Sequence, residues 1–235
     1  MVLLMVFTSC KRDKPSTALN LEVDEAAEIV ASFICTDNGG ISGLYNDAVL
    51  YSEKIDSPEK AFREEIYDTT FTITNHEGAK INYSYTFSYE YGFKYNSQLA
   101  AFEFYLDYNS NGTYSSARMK SSDSSEGNLI LNGLDQDETN YIINGSISRN
   151  GNQTTIFRDE KSVTGTLLFN FDEIKIDKTD YAVKSGSGTL TYSGKTSNEL
   201  AFSFTGSVEY TANESIILTL NGEVYTIDLI SGEIQ

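Results

Sequence analysis

Residues 81–95 read INYSYTFSYEYGFKY, in which every odd position is apolar or aromatic and the even ones are Asn, Ser, Thr, Ser, Glu, Gly, Lys. Side chains of a β-strand alternate between faces, so this period of two predicts a strand with one face buried and one in water. Fifteen residues would span ~50 Å as a single strand, long enough that a bend, or a break preserving register, is expected at Gly92. After Asn96-Ser97-Gln98 the phase resets, and Phe102, Phe104, Leu106 and Tyr108 form the next apolar face, which predicts a hairpin.

Working outward, Ser215–Leu220 and Glu223–Leu229 flank Asn221-Gly222, two residues that tolerate positive φ. A two-residue loop there pairs Leu218 with Tyr225 and Ile216 with Ile227. Laid on itself at an offset of 61, the chain brings Gly127, Leu129, Gly133, Glu138, Gly145 and Ser146 onto Gly188, Leu190, Gly194, Glu199, Gly206 and Ser207. Tyr141, Ile143 and Ile147 fall on Phe202, Phe204 and Val208 in the same way, which suggests two related antiparallel units, about 100–160 and 161–221. Gly145 and Gly206 lie inside predicted strands, where glycine marks a bulge or a curve in the sheet.

The residues before 67 differ. Val23, Ala26, Ala27, Val30, Phe33 and Ile34 recur at helical spacing, with Asp24, Glu25 and Glu28 near the start, so an amphipathic helix is expected over 21–35. Asp37-Asn38-Gly39-Gly40 ends it. Ser57-Pro58 reads as the start of a short second helix reaching about Ile66. The fold class expected is mainly β: an antiparallel curved sheet, a partial barrel or a sandwich, with an N-terminal α-helix packed on it, all within one domain of residues 21–235.

Composition excludes more than it assigns. With 34 acidic against 17 basic residues the net charge is −17, which repels phosphate backbones, so nucleic acid is not an expected partner. The 16 Tyr and 13 Phe supply ample core and argue against disorder. His76 is the only histidine and lies in a turn-like Asn75-His76-Glu77-Gly78, which excludes a histidine metal cluster and reads as a turn histidine in preference to a member of a catalytic triad. Asp107, Asn109, Asn111 and Gly112 match the opening of an EF-hand calcium loop, but Arg118 stands where the bidentate acid belongs, so a polar turn is expected. Asp135 and Asp137 read as a solvated loop and not as a glycosidase pair. No spacing supports catalysis, and no metal or cofactor is expected.

Residues 1–10, MVLLMVFTSC, form an apolar run ending at a cysteine, followed at once by Lys11-Arg12-Asp13-Lys14-Pro15-Ser16. This resembles the lipobox of bacterial lipoproteins. The resemblance implies a signal segment ending at Cys10, an acyl (palmitate-type) membrane anchor on that cysteine, a flexible tether over 11–20, and location in the bacterial envelope as an outer-membrane lipoprotein, facing the periplasm or the outside. Cys35 is then expected as a small buried apolar residue. Asp68-Thr69-Thr70 resembles the O-glycosylation sequon of the Bacteroidota, and the overall style is similar to envelope lipoproteins of that phylum, families that carry no assigned activity.

Two functions follow as expectations. The first is a non-enzymatic binding module for a glycan or a partner protein. The second is a carrier enclosing an apolar, lipid-like ligand in the curved sheet. Both place the ligand against Tyr83, Tyr85, Tyr89, Tyr91 and Tyr95, because tyrosine in place of Ile or Val brings hydroxyls that need partners and suits a partly wet surface. The alternative is that this aromatic face simply lines the core.

Overall fold

A computed structural model of the chain describes residues 20–35, 40–55, 66–75, 82–98, 100–156 and 161–235. Cys10, most of the tether, the predicted helix start at Ser57-Pro58 and the turn at His76 lie outside these residues. Among them are α1 (Val23–Ile34), α2 (Ile41–Ile55) and ten strands: β1 (Tyr67–Thr74), β2 (Asn82–Tyr95), β3 (Ala101–Ser115), β4 (Met119–Asn132), β5 (Asn140–Thr155), β6 (Ser162–Asp177), β7 (Val183–Thr196), β8 (Ala201–Thr211), β9 (Ser215–Leu220) and β10 (Glu223–Asp228). The strands form one antiparallel sheet in sequence order, curved and unclosed, with the helices on its inner face.

The alternation in β2 is realised as a single strand. Tyr85, Phe87, Tyr89, Tyr91 and Phe93 are buried, and Ser84, Ser88, Glu90 and Lys94 face out. Gly92 does not break it. That glycine pairs with Tyr105 in unbroken register, and the irregularity falls between Lys94 and Tyr95, where the strand meets the turn. The C-terminal hairpin has the expected register, Leu218 with Tyr225 and Ile216 with Ile227. Asn221 (φ 48°) and Gly222 (φ 92°) give it the twist that two-residue hairpins require.

Three expectations are corrected. Asp107–Gly112 is not a turn but the middle of β3, paired on both sides, so Asp107, Asn109 and Asn111 project in parallel from the outer face and cannot converge on one ion. Phe102 is 46% exposed, because it is the extra residue at the register shift where Lys94 pairs with Glu103 and Tyr95 with Ala101, whereas Phe104, Leu106 and Tyr108 are buried. The third is α2, which follows Gly40 directly where the sequence reading assigned no helix.

An offset of 61 carries Ala101 at the start of β3 onto Ser162 at the start of β6, and Asn140 of β5 onto Ala201 of β8. The paired glycines behave differently. Register shifts between Ile143 and Gly145, where Asn144 of β5 faces both Asp172 and Glu173, so the extra residue is on β6, whereas Gly206 is regularly paired with Leu190 and Leu220. Close approach explains both, since a Cβ on Gly145 would lie 2.1 Å from the Asn128 carbonyl and one on Gly206 2.2 Å from that of Thr219.

Helix α1 buries Ala26, Ala27, Ile29, Val30, Phe33 and Ile34 against the sheet. Cys35, at its C-terminus, is buried, with its thiol 3.5 Å from the Ser32 carbonyl oxygen. Helix α2 buries Ile41, Leu44, Tyr45, Ala48 and Val49, at the spacing of one helical face.

Candidate functional site

The aromatic face of β2 is covered. Tyr85, Tyr89 and Tyr91 are buried, and Tyr83 and Tyr95 half-buried. Tyr51 of α2 lies 5.7 Å edge-on to Tyr89 and 4.9 Å from Tyr91. The buried hydroxyls find partners within the protein: Tyr89 donates to Asp47 Oδ2 at 2.6 Å and Tyr85 to Asp123 Oδ2 at 3.0 Å. Burial and the neighbouring carboxylates push both phenols well above their ordinary pKa, so they remain neutral donors.

Beneath α1 the sheet is polar. Arg149 of β5 donates to Tyr85 Oη at 2.9 Å and to Asp123 Oδ2 at 2.5 Å, with its guanidinium 5.0 Å from the Phe33 ring centre. Ser121 donates to the same carboxylate oxygen. Lys161 makes a second buried pair with Glu25 at 2.8 Å, and Glu25 also accepts the Glu22 amide at 3.0 Å, closing the first turn of α1. Asp123 Oδ1, Glu25 Oε1 and Arg149 Nε are buried with no hydrogen-bond partner among the described residues. Two spaces of about 10 Å³ each adjoin Arg149, one against Tyr85 and one against Tyr192, each the size of a single water.

The open surface lies elsewhere, where the outward side of α2 faces the turn between β6 and β7. A cleft of about 630 Å³ is lined there by Asn46, Asp47, Val49, Leu50, Glu53, Asp180 and Tyr181. Tyr181 is 48% exposed and held at φ 57°, a left-handed conformation that is costly for an aromatic residue. The turn enforces it, since the Tyr181 amide donates to the Asp177 carbonyl at 2.9 Å while the Asp177 amide donates to the Ala182 carbonyl at 3.1 Å. Glu53 accepts hydroxyls from both Tyr141 (2.9 Å) and Tyr181 (3.1 Å), which fixes the carboxylate and the exposed ring together. Asp47, half-buried, carries a raised pKa because desolvation outweighs the Tyr89 hydrogen bond and Lys54.

None of the five tyrosines named from sequence lines this cleft, although Tyr89 anchors one of its carboxylates. Sequence reasoning missed Tyr181, Glu53, Asp47 and Asn46. The period of Ile41, Leu44, Tyr45, Ala48 and Val49 would have placed Asn46, Leu50 and Glu53 on the opposite, solvent side of a helix. Nothing local distinguishes Tyr181 from an ordinary turn residue.

A second cavity, of about 200 Å³, lies between α1, the β3–β4 turn and the C-terminal segment, lined by Tyr114, Arg118, Met119 and Ile234 among others. Arg118 there is ion-paired with Glu28. Among the described residues, no group of His, Cys, Asp and Glu is placed to hold a metal, and no helix is long and apolar enough to cross a membrane. Compared with protein families, with curated proteins and with solved structures, the chain matches none.

Proposed function

We propose that this chain is a non-enzymatic envelope protein, anchored in the outer membrane through an acylated Cys10, and that its domain is a binding module taking a carbohydrate in the cleft at Tyr181. The observation that carries this reading is the exposed Tyr181 ring, held in a strained backbone beside Glu53, Asp47 and Asn46. A pyranose offers an apolar face to such a ring and hydroxyl donors to the carboxylates and amide around it. The volume suits a small ligand, and the carboxylates favour neutral or amino sugars over acidic ones.

The carrier reading has less support. An apolar ligand on the inner face would have to displace α1 or α2, since the spaces beside Tyr85 and Tyr192 hold about 10 Å³ each.

A glycan array probed with the full chain tests the module: binding is expected, and Tyr181→Ala should abolish it. An array without binders, or binding indifferent to Tyr181→Ala, overturns the assignment. The anchor is tested separately by fractionation, where Cys10→Ala should move the protein from membrane to soluble fraction.

A further inference from the structure

The unclosed sheet has two edges, and they are finished differently. The outer edge of β10 is occupied by the chain's own C-terminus: the Asp228 amide donates to the Glu233 carbonyl at 3.0 Å, the Gln235 amide to the Thr226 carbonyl at 2.9 Å, and Ile227 bridges Ile234. The outer edge of β1 pairs with no strand among the described residues. Among the described residues that edge carries few of the devices that keep exposed strands apart, Asp68 being its one charge. Tyr67–Thr74, YDTTFTIT, holds eight residues in regular register with β2, without Pro, Lys or bulge.

Which backbone groups face outward follows from one hydrogen bond. The Asn75 amide donates to the Tyr83 carbonyl at 3.3 Å, continuing the ladder in which Thr74 meets Ser84. Hydrogen-bonded and non-hydrogen-bonded pairs alternate in an antiparallel ladder, so odd-numbered residues of β1 bond to β2. Asp68, Thr70, Thr72 and Thr74 therefore turn their amides and carbonyls to the free edge.

We propose that this edge pairs with the same edge of a second copy, antiparallel about a twofold axis at Phe71, to make one continuous sheet across the dimer. The register is set by three requirements. Inner faces must meet inner faces, which excludes an axis between Thr70 and Phe71. The outward-facing backbone groups must meet each other, and an axis at Phe71 joins Thr70 to Thr72 and Asp68 to Thr74 of the second copy, using every outward group of the strand. Like charges must not be opposed, and Asp68, the one charged residue of β1, lands opposite threonine.

The side chains agree with this register. Phe71, half-buried and stacked at 5.6 Å on Phe87, meets its own copy at a non-hydrogen-bonded position, where opposing side chains are closest. On the outer face the hydroxyl pairs Thr70–Ser88 (3.0 Å) and Thr72–Thr86 (2.9 Å) continue into Thr70–Thr72 across the axis. In a chain of charge −17, a threonine-rich edge with Asp68 as its one charge lets two copies approach with little repulsion. Ile73, 37% exposed on the inner face, is brought opposite Thr69 of the second copy.

Native mass spectrometry of the full chain released from detergent tests the pairing, and twice the protomer mass is expected at micromolar concentration. Thr72→Pro should return the mass to that of one protomer while the circular dichroism stays that of the wild type, because the amide it removes faces away from β2. Phe71→Cys should form a symmetric disulfide dimer under mild oxidant, since opposed Cα atoms at such a position are ~4.5 Å apart. A monomeric wild type, or a dimer that neither Thr72→Pro disrupts nor Phe71→Cys links, overturns the proposal.

Discussion

Ser110 and Arg149 of the first unit fall, at the offset of 61, on Phe171 and Tyr210 of the second. All four side chains point to the inner face, yet they solve its burial differently. In the first unit Arg149 is neutralised by Asp123 and bonded to Tyr85, beneath Phe33 of α1. In the second, Tyr45 of α2 packs edge-on to Phe171 at 5.3 Å and lies 6.0 Å from Tyr210, the two tyrosine hydroxyls 3.1 Å apart. One helix therefore sits on charge pairs that leave polar atoms unsatisfied, and the other on aromatic packing whose polar ends meet. Removing one member of a buried ion pair strands the other in a medium that cannot solvate it, whereas losing one hydroxyl from an aromatic cluster costs a single hydrogen bond.

This contrast can be broken most sharply at Arg149. Arg149→Leu leaves the Asp123 carboxylate buried without its cation, and urea unfolding should register a loss of about 3–5 kcal/mol. The double variant Asp123→Leu/Arg149→Leu should recover most of it, as expected if the second unit's aromatic solution is an equivalent substitute. If the double variant is as unstable as the single one, the pair does more than neutralise itself. Lys161→Met, which strands Glu25 at the start of α1, should cost about 3 kcal/mol by the same measurement.

Tyr210→Phe provides the counterpart in the second unit. It removes only the hydroxyl, which meets Tyr45 and Ser42, and a loss of about 1 kcal/mol is expected; a cost matching that of Arg149→Leu would erase the distinction. The smallest effect belongs to Asp47. Its folded pKa is raised, so the folded state takes up its proton more readily than the unfolded chain, and the cost of burying the charge is present at neutral pH and relieved as pH falls through the folded pKa. Asp47→Asn should therefore raise the thermal midpoint slightly at pH 7, and the gain should disappear well below the ordinary carboxylate pKa.

Much of the sheet was legible because its rules are local. Alternation over 81–95 identified the buried face of β2, and Asn221-Gly222 set the last hairpin to the residue, since positive φ at two adjacent positions leaves few registers open. Helix α2 was legible in principle but is diluted by Ser42, Gly43, Asn46 and Asp47, weak helix formers that blur its apolar stripe. The acids at the start of α1 fit the helix dipole, but that Glu25 is buried could not be read locally, because Lys161, 136 residues later, comes to meet it. The EF-hand-like run misled because alternate oxygens describe a metal loop and a polar strand face equally well until the backbone is known to be extended.

What the sequence determined by itself was the class, a curved antiparallel sheet with a helix on one face, because periodicity and turn chemistry act between near neighbours. Which face of that sheet is available to a ligand was a tertiary decision. Tyr85, Tyr89 and Tyr91 of β2 became core beneath the helices, and Tyr181, unremarkable in its turn, became the exposed ring of the open cleft because Glu53 of α2 came within reach of its hydroxyl. Both outcomes depend on where a helix lands on a sheet, and that is settled by the complementarity of two whole surfaces, which no local stretch encodes.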